Sequence, residues 1–281
     1  MNGNFKIIVD SGCDLSAKIK ELLNVKLVPL TLQLKDKIYR DDDQLDVKQY
    51  IEDMRNCEIA PKTACPSPED FVEAYEVDED NVFVVTLSEK LSGTFNSAKL
   101  AKDIYTEEKK DKRIHVFNSK TASIGETLIA LKIHELVEKY QDFNEVKETV
   151  ESYIDEMKTF FMLENLDHLA KAGRLKTAIV KIMNILNVKL VLGASDEGEI
   201  RLVNKVRGNK KAFKRFVDVI GEEGKDFENK ILGIAHCNCL EKAQAFKREV
   251  LKRYNFKEII IVETAGISTT YADEGGIIVA F

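Results

Sequence analysis

Short β-branched runs alternate with amphipathic stretches along the first half of the chain, and that alternation restricts the fold more than any other feature. Residues 5–9 read as a strand, 16–24 as a helix with Ile19, Leu22 and Leu23 inward, and 26–34 as a second strand. After a charged loop, YRDDDQ, residues 46–55 place Val47, Tyr50, Ile51 and Met54 at helical intervals. Ser67-Pro68-Glu69-Asp70 opens a further helix: the hydroxyl caps, proline suits the first helical position, and the acids meet the positive dipole end. Residues 82–86 and 113–117 read as strands around a helix at 94–105. Strands interleaved with helices in this way imply a parallel sheet covered on both faces.

The second half begins near 160–163, after a helical stretch at 143–157, and mixes its pairings. A helix ending at Ala172-Gly173 and an apolar helix at 177–187 lead to strands at 189–192 and 200–203, with a turn at Asp196-Glu197-Gly198 that predicts a hairpin. Helices at 210–220 and 240–254, strands at 231–235 and 258–262, and a closing run at 277–281 complete it. With 281 residues, near the size at which single cores stop growing, the chain is expected to form two α/β domains. They are 1–157, with a parallel α/β/α sheet, and 158–281, with a mixed sheet.

The net charge of −6 argues against nucleic acid, whose phosphates need clustered Lys and Arg. The basic runs 109–113 and 205–214 are short and interrupted, and read as helix faces or solvated turns. MNGNFKIIVDSG carries neither a basic leader nor a signal-length apolar stretch, and no run approaches the roughly 20 apolar residues that span a bilayer. A cytoplasmic protein without stable membrane insertion is therefore expected. Its five cysteines read as reduced thiols. His236, Cys237 and Cys239 lack the second ligand pair that zinc requires, so no metal is expected.

In parallel sheets ligands gather beyond the carboxyl ends of the strands. Three such ends carry small polar residues: Asp10-Ser11-Gly12, Thr86-Leu87-Ser88 and Asn118-Ser119. The stretch TLSEKLSGTFNSA, residues 86–98, places five hydroxyls around Gly93 where a strand gives way to a helix. Capping uses one hydroxyl, so the surplus predicts an anion site built from Ser92, Gly93 and Thr94 with the helix N-terminus behind it. The P-loop spacing and its lysine are missing, as is the G-x-S-x-G elbow, and the four histidines, at 115, 134, 168 and 236, are scattered. Asp10 and Asp14 read as strand-end anchors. The residues leave two readings open: a binding crevice, or a phosphotransferase or hydrolase acting on a small anionic substrate there. A sensor is a third.

The motifs VDSGCDL, VPLTL, TACPSPEDF, LSEKLSGTFNSA, FNSKTASIG, LDHLAKAGRL and NKVRGNKKA together resemble the DegV family over nearly the whole chain. The resemblance implies a fatty-acid-binding acyl carrier that presents its ligand to a separate fatty acid kinase, with no cofactor and no chemistry of its own. It implies an apolar tunnel with the carboxylate held by Thr63 of TACPS and Ser92 of LSGT, the amides of Gly93 and Thr94 remaining available; Ser119 joins these candidates from its strand-end position. Ile179, Ile182, Met183 and Ile185 become candidate walls. Arg174 in AGRL and Arg207 in KVRG become candidate contacts for a partner or a phosphate. Two departures stand out: Ala64 and Cys65 alter the threonine loop, and Ala272 occupies the position where family members usually carry a histidine, with Asp273 and Glu274 beside it.

Overall fold

The computed structural model of the protein describes residues 4–109, 111–139 and 142–281. The first three residues of the N-terminal reading, and Lys110 within the basic run 109–113, lie outside them. In chain order the elements of the first half are β1 (Phe5–Asp10), α1 (Ala17–Leu23), β2 (Lys26–Val28), β3 (Thr31–Leu34), β4 (Lys37–Arg40), α2 (Val47–Arg55), β5 (Lys62–Ala64), α3 (Pro68–Tyr75), β6 (Asn81–Thr86), α4 (Thr94–Glu108), β7 (Arg113–Asn118), α5 (Ile124–Lys139) and α6 (Phe143–Glu156). The second half follows with β8 (Thr159–Met162), α7 (Asp167–Lys171), α8 (Thr177–Met183), β9 (Val188–Ala194), β10 (Ile200–Arg207), α9 (Asn209–Glu223), β11 (Ile231–His236), α10 (Leu240–Leu251), β12 (Glu258–Glu263), α11 (Gly266–Ala272) and β13 (Ile277–Ala280).

Sheet order is β2-β1-β6-β7, parallel throughout. Side chains alternate between its faces, as a pleated strand requires. Ile7, Val9, Phe83 and Val85 join Ile129, Ile133, Val146 and Val150 on one side. Ile8, Val82 and Val84 join Phe71, Tyr75, Ala98 and Ala101 on the other. The predicted α/β/α layering is therefore present. Ser67 caps α3 as expected, and Asp70, expected only to meet the dipole, completes a reciprocal capping box with it. Asp46 caps α2 by accepting from Lys48 and Gln49.

The second sheet, β10-β9-β8-β13-β11-β12, is mixed: β11 and β12 run parallel and the other pairs antiparallel. Phe160, Val191, Leu232 and Ile234 face the core made with Phe216, Ile220 and Phe246. Leu190 and Leu192 face the opposite way and join Leu30, Leu32 and Leu87 of the first half. The halves also meet where α5 crosses β11, and a side chain at Gly233 would strike Ile124 at 2.3 Å.

One expected strand is two. The segment 26–34 breaks at Pro29, which has no N–H for a ladder. The Leu30 amide turns to Ser11 Oγ (3.0 Å), and the chain leaves the large sheet for a small antiparallel one, β4-β3-β5. The charged loop is also shorter than expected, because 37–40 closes a hairpin on β3. Asp41 within it is 3% exposed and caps α11, accepting from the amides of Gly266 and Ile267 at 2.8 Å each. Among the described residues no helix is long and apolar enough to cross a membrane.

Candidate functional site

The loops after β5 and β6, the turn after β7, strand β8, the β9–β10 turn and helix α11 enclose a mainly apolar cavity of about 320 Å³. Leu87, Phe161, Leu163, Ile200, Ile267 and Ile278 supply apolar wall. Thr63, Ser92, Gly93 and Tyr271 supply part of the polar wall, and Thr121, Ser123, Thr159, Ser268, Arg174 and Glu199 supply the rest. Both halves are needed, since Ser88 Oγ donates to Gly198 O (2.9 Å) and so pins the hairpin turn of one against the strand ends of the other.

Local structure explains each polar group. Thr63 lies in β5, in register with Leu32 of β3, and its Oγ1 is 2.7 Å from the Tyr271 hydroxyl. Leu91 and Ser92 direct their amides at Ser88 O (2.9 and 3.1 Å), which folds the LSGT stretch into a turn with Gly93 as the N-cap of α4. Ser92 Oγ lies 2.8 Å from Thr94 Oγ1 and accepts the Thr94 amide at 3.3 Å. Thr94 is fully buried, one layer behind the wall, and its amide is already spent on Ser92. The helix N-terminus contributes a positive end without a formal charge.

Ser119 does not line this cavity. Its hydroxyl donates to Thr121 O (3.1 Å) and accepts the Thr121 amide (3.2 Å), closing its own turn. Arg174 does line it, but its guanidinium is engaged, donating to Leu91 O (2.9 Å) and Ala172 O (2.5 Å). Arg207 lies away from it, exposed at the end of β10. The four candidate wall residues of the second half are also elsewhere: Ile179 is buried core, Ile182 and Met183 pack against that core, and Ile185 is 47% exposed. Helix α8 thus backs the cavity instead of facing it.

Ala272 lines the cavity, and Tyr271 beside it provides a hydroxyl there. Sequence reasoning passed over Tyr271; the signal was the phenol next to the residue where a donor is missing. Asp273 accepts from Asn165 (3.1 Å) and Glu274 pairs with Arg55 and Asn238, so both acids have partners outside the cavity wall. His168 donates Nδ1–H to Thr270 O (2.9 Å), and His236 accepts the Cys239 amide (3.3 Å). Ser92 therefore pairs with a hydroxyl, not an imidazole.

Carboxyl groups sit behind the site, deep in the protein. Asp10 accepts from the amides of Gly12 and Leu87, both at 2.7 Å. Asp14 accepts from Ser123 Oγ (2.5 Å) and the Ala265 amide (2.7 Å). Burial pushes Asp10 and Asp14 up to about 7 and Asp41 up to about 6, against the opposing pull of their hydrogen bonds. Glu126 is fully buried beside Asp10, and burial, reinforced by that neighbouring charge, raises it well above the ordinary carboxyl range.

The family model "Uncharacterised protein, DegV family" matches residues 4–281. The chain belongs to the DegV family. A DegV domain-containing protein of Streptococcus pneumoniae is 35% identical over 279 residues, covering 99% of this chain and 98% of its own. Among solved structures, a DegV family protein of Ruminococcus gnavus refined with vaccenic acid superposes with a TM-score of 0.95 at 42% identity, covering 99% and 100% of the two chains. The fatty acid kinase B3 protein of S. pneumoniae, loaded with linoleic acid, gives 0.89 at 34% identity, covering 99% and 98%. The DegV architecture of a parallel sheet followed by a mixed one accounts for the fold expected from the sequence.

Proposed function

We propose that this DegV protein binds a long-chain fatty acid, with the acyl chain in the cavity and the carboxylate at Thr63, Ser92 and the Gly93 amide. The observation that carries this reading is the distribution of polarity: in a mainly apolar chamber, Thr63 and Ser92 present hydroxyls at β5 and the LSGT turn, whereas the lining groups of Thr121 and Thr159, Ser123, and Glu199 are engaged with each other, with Asp14 and with Lys176. Relatives with vaccenic and linoleic acid bound support it. Burying about fourteen methylenes at ~0.8 kcal/mol each supplies roughly 11 kcal/mol before ordering costs. Hydrogen bonds to the charged head, about 1.5–3 kcal/mol each, are mostly offset by its desolvation. The chain then supplies affinity and the hydroxyls supply orientation.

In this reading the protein is an acyl carrier in the cytoplasm, not an enzyme, and uses no cofactor. Segments 1–157 and 158–281 act as two domains that share the ligand. A separate fatty acid kinase receives the head group at the cavity mouth, with Arg174 and Arg207 on the surface it meets. The pairing of Ser92 with Thr94 favours this carrier over hydrolysis or phosphoryl transfer, which need a base or a phosphate cradle. Mass spectrometry of the lipid released from denatured protein tests it. About one fatty acid per chain is expected; an empty extract, with no rise in melting temperature on adding oleate, overturns it.

A further inference from the structure

Tyr271 is the aromatic hydroxyl in the polar wall, and its position is fixed with unusual thoroughness. Helix α11 has seven residues, too few to be stable alone, and is held from outside. Asp41 accepts the amides of Gly266 and Ile267, and Asp14 that of Ala265. Tyr50 bonds Thr270 Oγ1 at 2.8 Å and His168 bonds Thr270 O at 2.9 Å, one residue before the phenol. Strand register fixes Thr63 on the other side. The 2.7 Å contact between Thr63 Oγ1 and Tyr271 OH therefore joins two clamped elements.

Each hydroxyl has one proton and two lone pairs, whereas a carboxylate only accepts. If Thr63 gives its proton to Tyr271, it has none left for a ligand. We propose that Tyr271 is a positioning residue for the ligand head group: its phenol donates to Thr63 Oγ1 and so keeps the Thr63 proton aimed at the carboxylate. This rests on the fatty-acid reading above. Ser92 is served in the same way by Thr94, whose buried hydroxyl lies 2.8 Å away. The head group thus meets two hydroxyl dyads, each with an inner donor and an outer donor, one from the LSGT turn and one assembled from β5 and α11.

The test is calorimetric titration of delipidated full-length protein with palmitate, using Tyr271→Phe, Thr63→Val and the double variant. Tyr271→Phe, which keeps the ring, is expected to weaken palmitate binding about tenfold. Thr63→Val is expected to lose at least as much, and the double variant no more than Thr63→Val alone within about twofold, because the phenol acts through Thr63. With 1-hexadecanol, which presents no charge, the Tyr271→Phe loss should stay under about threefold. Wild-type affinity for palmitate in Tyr271→Phe, multiplying losses in the double variant, or equal losses for both ligands overturns the proposal. A wild-type protein that binds neither probe instead overturns the carrier reading, and the proposal with it.

Discussion

One polar cluster lines the cavity and another sits behind it, and they are built on opposite terms. Asp10, Asp14, Asp41 and Glu126 are acidic and sealed from solvent; the three aspartates accept backbone amides that fix one segment against another. Thr63, Ser92 and Tyr271 are neutral, half-buried and open to the cavity. The aspartates that accept these amides serve as scaffold, because a buried amide left without an acceptor is costly. The hydroxyls at the cavity are paired with one another instead, Thr63 with Tyr271 and Ser92 with Thr94.

The sharpest way to break this contrast is Asp41→Ala, which strands two amides at the start of α11. It is expected to cost about 3 kcal/mol in urea unfolding; a loss under about 1 kcal/mol would mean that Asp41 is not scaffold. Ser92→Ala should do the reverse. It should weaken palmitate binding by about 10- to 100-fold while the melting temperature of the ligand-free protein moves by less than about 2 °C, and a large thermal shift would erase the distinction.

The acidic cluster also makes a pH prediction. Glu126 keeps its proton to higher pH in the folded protein than in the unfolded chain, where it ionises near 4.5. Above that pH the folded state binds the extra proton, so stability falls as pH rises, by at most about 1.4 kcal/mol per pH unit for one group. Thermal melts from pH 5 to 8 should therefore decline less steeply for Glu126→Gln than for wild type. Parallel curves would show that Glu126 is ionised in both states. The smallest effect is expected from Arg174→Ala: its bonds go to backbone carbonyls, so palmitate affinity should change less than about threefold.

The layered architecture was legible because its signals are local. Alternating apolar runs, the Ser67 cap and the hairpin at Gly198 each follow from neighbours in sequence. The site was legible in part. Ser92 and Gly93 stood out as surplus hydroxyl and cap at a strand end, and Thr63 came from family resemblance alone, since three residues of β5 give no periodic signal. Ser119 was a candidate only through its strand-end position, and its hydroxyl satisfies its own turn. Asp41 was only one acid of a charged loop, because its partners, Gly266 and Ile267, are more than 200 positions away. Tyr271 was hidden for the same reason: only packing of α11 against β5 gives its hydroxyl a task.

The notch at Gly198 carries a consequence for ancestry. Its φ of +85° suits glycine, and a side chain there would meet Ser88 Oγ at 2.3 Å and Lys120 Cα at 2.7 Å. A chimera that grafts the second half of one relative onto the first half of another must therefore reproduce both the missing side chain and the hydroxyl that fills its place. Recombination between the halves is constrained at this seam, where both contribute wall to the cavity.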